Sequence, residues 1–141
     1  MAKMPDLEQF NGRWALTRVI KDRLTETEGR LSGQATFTAQ EDGAYLYLEE
    51  GELNYGDQTP MAASRKYIWR QKEKGIAIQF EDGRDFHVIE ADKLMPDAMH
   101  HCDPDMYHVS YDFTSWPNWR AAWRVVGPRK DYRMMSSYAR A

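Results

Sequence analysis

Along most of this chain apolar and polar residues alternate with period two, and Gly, Asp, Asn and Pro interrupt the alternation at short intervals. Successive side chains of a strand point to opposite faces, so such a pattern builds sheet with one dry side and one wet side. Stretches with helical spacing are nearly missing. A dry sheet face with no helix to cover it is satisfied when the sheet curls round and closes on itself. The pattern therefore predicts an all-β chain: a single domain over residues 1–141, folded as an antiparallel up-and-down barrel of about ten strands. A short helical turn, Pro5 to Phe10, precedes them. The strands are read at 13–22, 30–39, 44–49, 52–56, 64–71, 76–81, 84–90, 106–113, 119–126 and 131–139.

Hairpin loops predict which side chains share a face, because residues paired across a hairpin point to the same side. A turn at Asp82-Gly83 pairs Phe80 with Asp85 and Ile78 with His87. A loop at Lys72–Gly75 pairs Trp69 with Ile78 and Tyr67 with Phe80. A loop at Gln40–Gly43 sets Phe37 opposite Leu46, and a turn at Glu50-Gly51 sets Leu48 opposite Leu53. Loops at Thr114–Asn118 and Gly127–Lys130 pair Tyr111 with Ala121, Val109 with Trp123, and Trp123 with Met134. The predicted interior then holds Trp14, Leu16, Phe37, Leu46, Leu48 and other apolar residues, together with Arg18, Asp85, His87 and several Tyr. His108, Arg120 and Arg124 lie outside.

Aromatic residues make up 13% of the chain, with five Trp and eight Tyr. Their apolar bodies and polar tips suit the wall of a small-molecule cavity. Arg18, Tyr67, Trp69, His87, Tyr111, Trp119, Trp123 and Tyr138 are the expected ligand contacts. In this reading Arg18 neutralises an anionic group, His87 and Tyr111 supply hydrogen bonds, and the Trp residues supply apolar wall. The net charge is −3, with a pI near 5.8, which argues against nucleic acid or an anionic membrane as partner. Cys102 is the single cysteine, so no disulfide can form within the chain. With no apolar segment at the N-terminus and no apolar run of about 18 residues, the expected setting is soluble and cytoplasmic. An exposed edge or an aromatic mouth would also suit a homodimer.

The segment Ala91–Asp105 reads as one long loop, a frequent form of lid or binding loop. It carries His100, His101 and Cys102. Two further readings come from these residues. One is a small acid–base enzyme in which His87 works with His101 or Cys102, with Asp85 orienting the imidazole. The other is a metal or haem protein using His87, His100 or His101. Their spacing matches no standard metal motif, so no metal or other cofactor is predicted.

Two resemblances add to this. Phe10-Asn11-Gly12-Arg13-Trp14, a turn leading into Gly-x-Trp, resembles the opening of the lipocalins and the wider calycin group. That resemblance implies a Trp14 that closes the barrel floor against an Arg, with Arg140 or Arg18 as the partner. Asp82-Gly83-Arg84-Asp85-Phe86-His87, His100-His101-Cys102 with Asp105 and Tyr107, and Gly127-Pro128-Arg129-Lys130-Asp131-Tyr132 together resemble a family of small bacterial proteins of unknown function. This likeness implies no reaction.

Overall fold

The computed structural model describes residues 3–141. A short 3-10 helix, Leu7–Phe10, leads into ten antiparallel strands. They are β1 (Gly12–Asp22), β2 (Thr27–Ala39), β3 (Tyr45–Tyr55), β4 (Met61–Lys72), β5 (Gly75–Phe80), β6 (Asp85–Glu90), β7 (Asp97–Cys102), β8 (Asp105–Asp112), β9 (Trp119–Gly127) and β10 (Lys130–Arg140). Each strand pairs with the next except β6 with β7, and β1 pairs with β10 from Trp14 opposite Arg140 to Asp22 opposite Tyr132. The order is therefore β6-β5-β4-β3-β2-β1-β10-β9-β8-β7. The sheet curls into a barrel that is nearly closed: β6 and β7 come together at a seam without forming a ladder. This is the all-β meander expected from the alternation.

Several registers agree with the hairpin reading. Trp69 faces Ile78, Tyr67 faces Phe80, Tyr111 faces Ala121, and Trp123 faces both Val109 and Met134. Others do not. Glu50-Gly51 is not a turn, and residues 44–49 and 52–56 are not two strands. β3 runs straight through, with Gly51 opposite Gly33. A Cβ added at Gly33 would lie 2.0 Å from the carbonyl oxygen of Glu50. The glycines at this crossing serve close backbone approach, which in sequence looks the same as a turn signal.

The hairpin between β2 and β3 is one residue longer than expected. Gln40 donates its backbone N–H to the carbonyl of Ala44, and Phe37 pairs with Tyr47 rather than Leu46. A slip of one residue turns every side chain of a strand over. Leu46 and Leu48 therefore lie half-buried on the outside, while Tyr47 and Glu49 point inward and are buried. A β-bulge causes the third departure. Ile78 still pairs with His87, but Gln79 pairs with Asp85, leaving Phe86 as the extra residue. Asp85 is thrown outside, where Gln79 Nε2 donates to its carboxylate, while Phe86 and His87 are both buried.

The segment 91–105 is also more ordered than a loop. β7 occupies most of its second half, turns at Asp103-Pro104, and pairs with β8. Among the described residues no helix is long and apolar enough to cross a membrane.

The two ends of the barrel differ. At one end the 3-10 helix and the turn before β9 are packed into the opening. The ring of Phe10, fully buried, sits 4.9 to 6.4 Å from the rings of Trp14, Phe37, Trp69, Phe113, Trp116 and Trp119. The indole N–H of Trp14 donates to the Phe10 carbonyl at 2.9 Å. The guanidinium of Arg140 lies 3.9 Å from the Trp14 ring and donates to the carbonyl of Asn11. Of the two arginines that could have closed the floor, Arg140 does so. At the other end the inward residues Leu53, Ala63, Tyr107 and Tyr132 are only half-buried. Phe10→Ala is expected to cost about 3–5 kcal/mol of stability. Phe80→Ala, at the looser end, should cost clearly less, and urea unfolding of the two variants compares them.

Candidate functional site

The polar residues of the interior are organised around a buried ion pair. Arg18 of β1 and Glu49 of β3 are 5% and 4% exposed. Arg18 Nη1 donates to Glu49 Oε1 at 2.9 Å, and Nη2 donates to Oε2 at 2.6 Å. The remaining guanidinium nitrogen, Nε, donates to the Ser136 hydroxyl at 2.7 Å on the paired strand β10. Tyr47 donates its hydroxyl to Glu49 Oε2 at 2.6 Å, so in its 2.7 Å contact with Tyr138 it accepts and Tyr138 donates. The result is a continuous chain in which both carboxylate oxygens and every guanidinium nitrogen have a partner.

Burial works against both charges, but each partner outweighs it for the other. Glu49 is held below the usual carboxylate range and Arg18 above its ordinary value. Burial drives the Tyr47 hydroxyl well above its ordinary value and that of Tyr138 up to about 12, so both stay protonated.

A second polar pair lies opposite. His87 Nε2 and the Tyr111 hydroxyl are 2.8 Å apart. Burial, with a smaller electrostatic contribution from nearby His100, pushes the His87 imidazole down to about 3, so the His87 ring is neutral at physiological pH. Its other nitrogen, Nδ1, is buried and has no partner among the described residues. The same holds for the indole nitrogens of Trp69 and Trp119. Trp119 is fixed by a parallel stack on Tyr138, with ring centroids 3.7 Å apart.

All eight expected ligand contacts border one cavity, and so do the side chains of these three unpartnered nitrogens. The void is small, about 40 Å³, room for roughly three ordered waters. The interior is largely filled by its own side chains. Sequence reasoning missed four wall residues: Tyr47, Glu49, Arg65 and Phe86. The first two were hidden by the one-residue slip and Phe86 by the bulge. Arg65 lies inside the strand predicted at 64–71, two residues before the inward Tyr67, so its phase was available.

The other candidates are not brought together. His101 and Cys102 are exposed at the end of β7, whereas His87 is buried. His100 and His101 are neighbours on a strand and face opposite ways. His100 packs edge-on to Phe86, and His101 lies 3.8 Å from Asp103. Among the described residues no three His, Cys, Asp or Glu side chains are grouped as a metal site needs. Asp85 cannot orient His87, because the bulge puts it on the other face.

A family model matches residues 10–140. The chain belongs to DUF6314, a family of unknown function. The match takes in the Gly-x-Trp opening and the other segments on which the sequence resemblance rested. No curated protein matches this DUF6314 chain. Among solved structures it is similar to the S-type phycobiliprotein lyase CPES from Guillardia theta, with a TM-score of 0.63 and 10% identity over 97% of this chain and 93% of that one. It is also similar to a DUF3598 protein of unknown function from Nostoc punctiforme, with a TM-score of 0.64 and 9% identity. That match covers 99% of this chain and 51% of the other, so the chain spans about half its length. Identities this low make both likenesses ones of fold.

Two outcomes are expected from the buried groups. Glu49→Gln leaves the Arg18 charge buried and unmatched and should cost about 3–5 kcal/mol, whereas Arg18→Met with Glu49→Leu should recover most of it. Urea midpoints of the three variants measure this. For His87, the unfolded imidazole titrates near 6.5 and the folded one far lower. The unfolded state therefore binds more protons in between, and stability falls as pH drops, by up to about 1.4 kcal/mol per unit. His87→Gln should flatten that slope between about pH 6.5 and 5.5, where few carboxylates titrate.

Proposed function

We propose that this DUF6314 protein binds a small organic molecule in the barrel cavity, reached from the looser end. One observation carries this reading. Three buried side chains, those of Trp69, Trp119 and His87, each keep an unpartnered nitrogen, and all three border the same void. A buried donor or acceptor without a partner costs about 1–3 kcal/mol. Elsewhere the interior satisfies its polar atoms carefully, as the Arg18–Glu49 chain does. Three exceptions on one wall fit a site whose hydrogen bonds are completed by something other than the chain itself.

The fold supports the reading, since a barrel offers an enclosed wall built from many strands. The CPES structure, similar in fold, is that of a phycobiliprotein lyase. The void limits what fits without movement to a compact group. A larger ligand would keep its bulk in the looser end, or part the unpaired seam between β6 and β7 and displace Phe86.

The test is titration of labelled protein with a panel of small aromatic and carbonyl compounds, followed through the indole N–H signals of Trp69 and Trp119 in proton–nitrogen correlation spectra. Native mass spectrometry of gently purified protein accompanies it. Saturable shifts of those two signals, weakened by Trp69→Phe, are expected. Indole signals that move for no compound, with a native mass equal to that of the chain alone, would defeat the reading.

A further inference from the structure

We infer that the ligand of this cavity is a flat, apolar-bodied acid held with its anionic group outward, and that Arg65 at the mouth, not Arg18 inside, receives the charge. The inference rests on the binding role proposed above and adds the class and direction of the ligand.

Arg18 and Arg65 are the two cations on the cavity wall. Arg18 is fully engaged. Its three nitrogens reach Glu49 and Ser136, and both oxygens of Glu49 are taken by Arg18 and Tyr47. An acid that reached Arg18 would have to displace Glu49. That would leave a second carboxylate buried without its cation, a cost that one new ion pair does not repay. The deep cation is therefore closed to an anionic ligand.

Arg65 is the opposite case. It stands on β4 directly across from Glu49 on β3, in phase with the inward-facing Tyr67 and Trp69. It is exposed, and among the described residues its guanidinium makes no hydrogen bond and no ion pair. Glu49, the nearest carboxylate in the register, is already occupied. A free guanidinium at the rim of a cavity offers a planar fork that matches a carboxylate.

The wall beneath it explains the rest of the ligand. Tyr67, Phe86, Trp123 and Met134 form an apolar, mostly flat-sided lining. The Tyr67 and Phe86 rings lie 5.7 Å apart with planes 27° from parallel, and Phe86 and Trp123 lie 5.4 Å apart and 19° from parallel, so the lining is a set of slightly tilted rings whose shape suits a planar body. Below these rings lie the indole N–H groups of Trp69 and Trp119. Both are donors only, so the inner end of the ligand is an acceptor such as a carbonyl or ether oxygen. With a single free cation on the wall, the ligand carries one negative charge.

The experiment compares matched probes, phenylacetate with phenylacetamide and naphthylacetate with naphthylacetamide, by the Trp69 and Trp119 indole signals and by calorimetry. Each acid is expected to bind about tenfold more tightly than its amide, in keeping with a charge-assisted hydrogen bond. Arg65→Gln should abolish that preference by weakening the acid far more than the amide, and Arg65→Lys should restore part of it. Because Arg65 is exposed and touches the Glu49 carboxylate only through its charge, Arg65→Lys should keep the wild-type thermal midpoint and Arg65→Gln should lower it only slightly. If acid and amide move the indole signals with equal affinity, or if Arg65→Gln keeps the preference, the assignment of charge to Arg65 is overturned and the cavity remains a binding site. If no probe moves the signals, the ligand class and the binding role fall together.

Discussion

The Arg18–Glu49 pair is the constraint on which the interior of this barrel depends. Two charges inside a protein are tolerable only when they neutralise each other and their remaining hydrogen-bonding capacity is met. Here that condition ties three strands together. Arg18 comes from β1, Glu49 from β3 and Ser136 from β10, with Tyr47 and Tyr138 completing the chain. Sliding β3 by one residue would turn Glu49 out and bring Leu48 in, leaving Arg18 buried and alone. The ion pair thus helps to select the register that places Tyr47 and Glu49 inside.

The same pair divides the cavity into parts with different duties. Near the packed end, aromatic rings around Phe10 fill the barrel, and Arg140 over Trp14 seals its edge. In the middle, the polar chain is complete in itself. On the rest of the wall the indoles of Trp69 and Trp119 and the imidazole of His87 are not complete, and the rim holds an unpaired arginine. The groups that hold the interior together and the groups left without partners are thereby different parts of one nearly full interior.

His87 shows how a local irregularity sets chemistry. The extra residue in β6 keeps Phe86 and His87 both buried and sends Asp85 outside. Without a carboxylate behind it the imidazole has no anion to raise its affinity for a proton, and burial keeps it neutral. It is therefore a hydrogen-bonding group set against Tyr111, and the acid–base partnership with Asp85, His101 or Cys102 read from sequence has no structural basis.

What the sequence by itself determined is the strand meander and most of its inner face. Alternation is a local signal, and hairpins such as Trp69–Ile78 and Trp123–Met134 join residues close in the chain, so a short loop is enough to set them. Eleven of the fifteen wall residues, including His87 and Trp119, were legible from the alternation. Only the tertiary structure decided the phase of β3, the bulge at Phe86 and the choice between Arg18 and Arg140 for the floor. Tyr45, Tyr47 and Glu49 alternate as cleanly as Leu46 and Leu48, so the local pattern cannot rank the two faces. Glutamate looks like a solvent residue until a cation 31 positions away is brought 2.6 Å from it. The energy that makes the choice comes from pairing those distant charges out of water, and no window of sequence contains both.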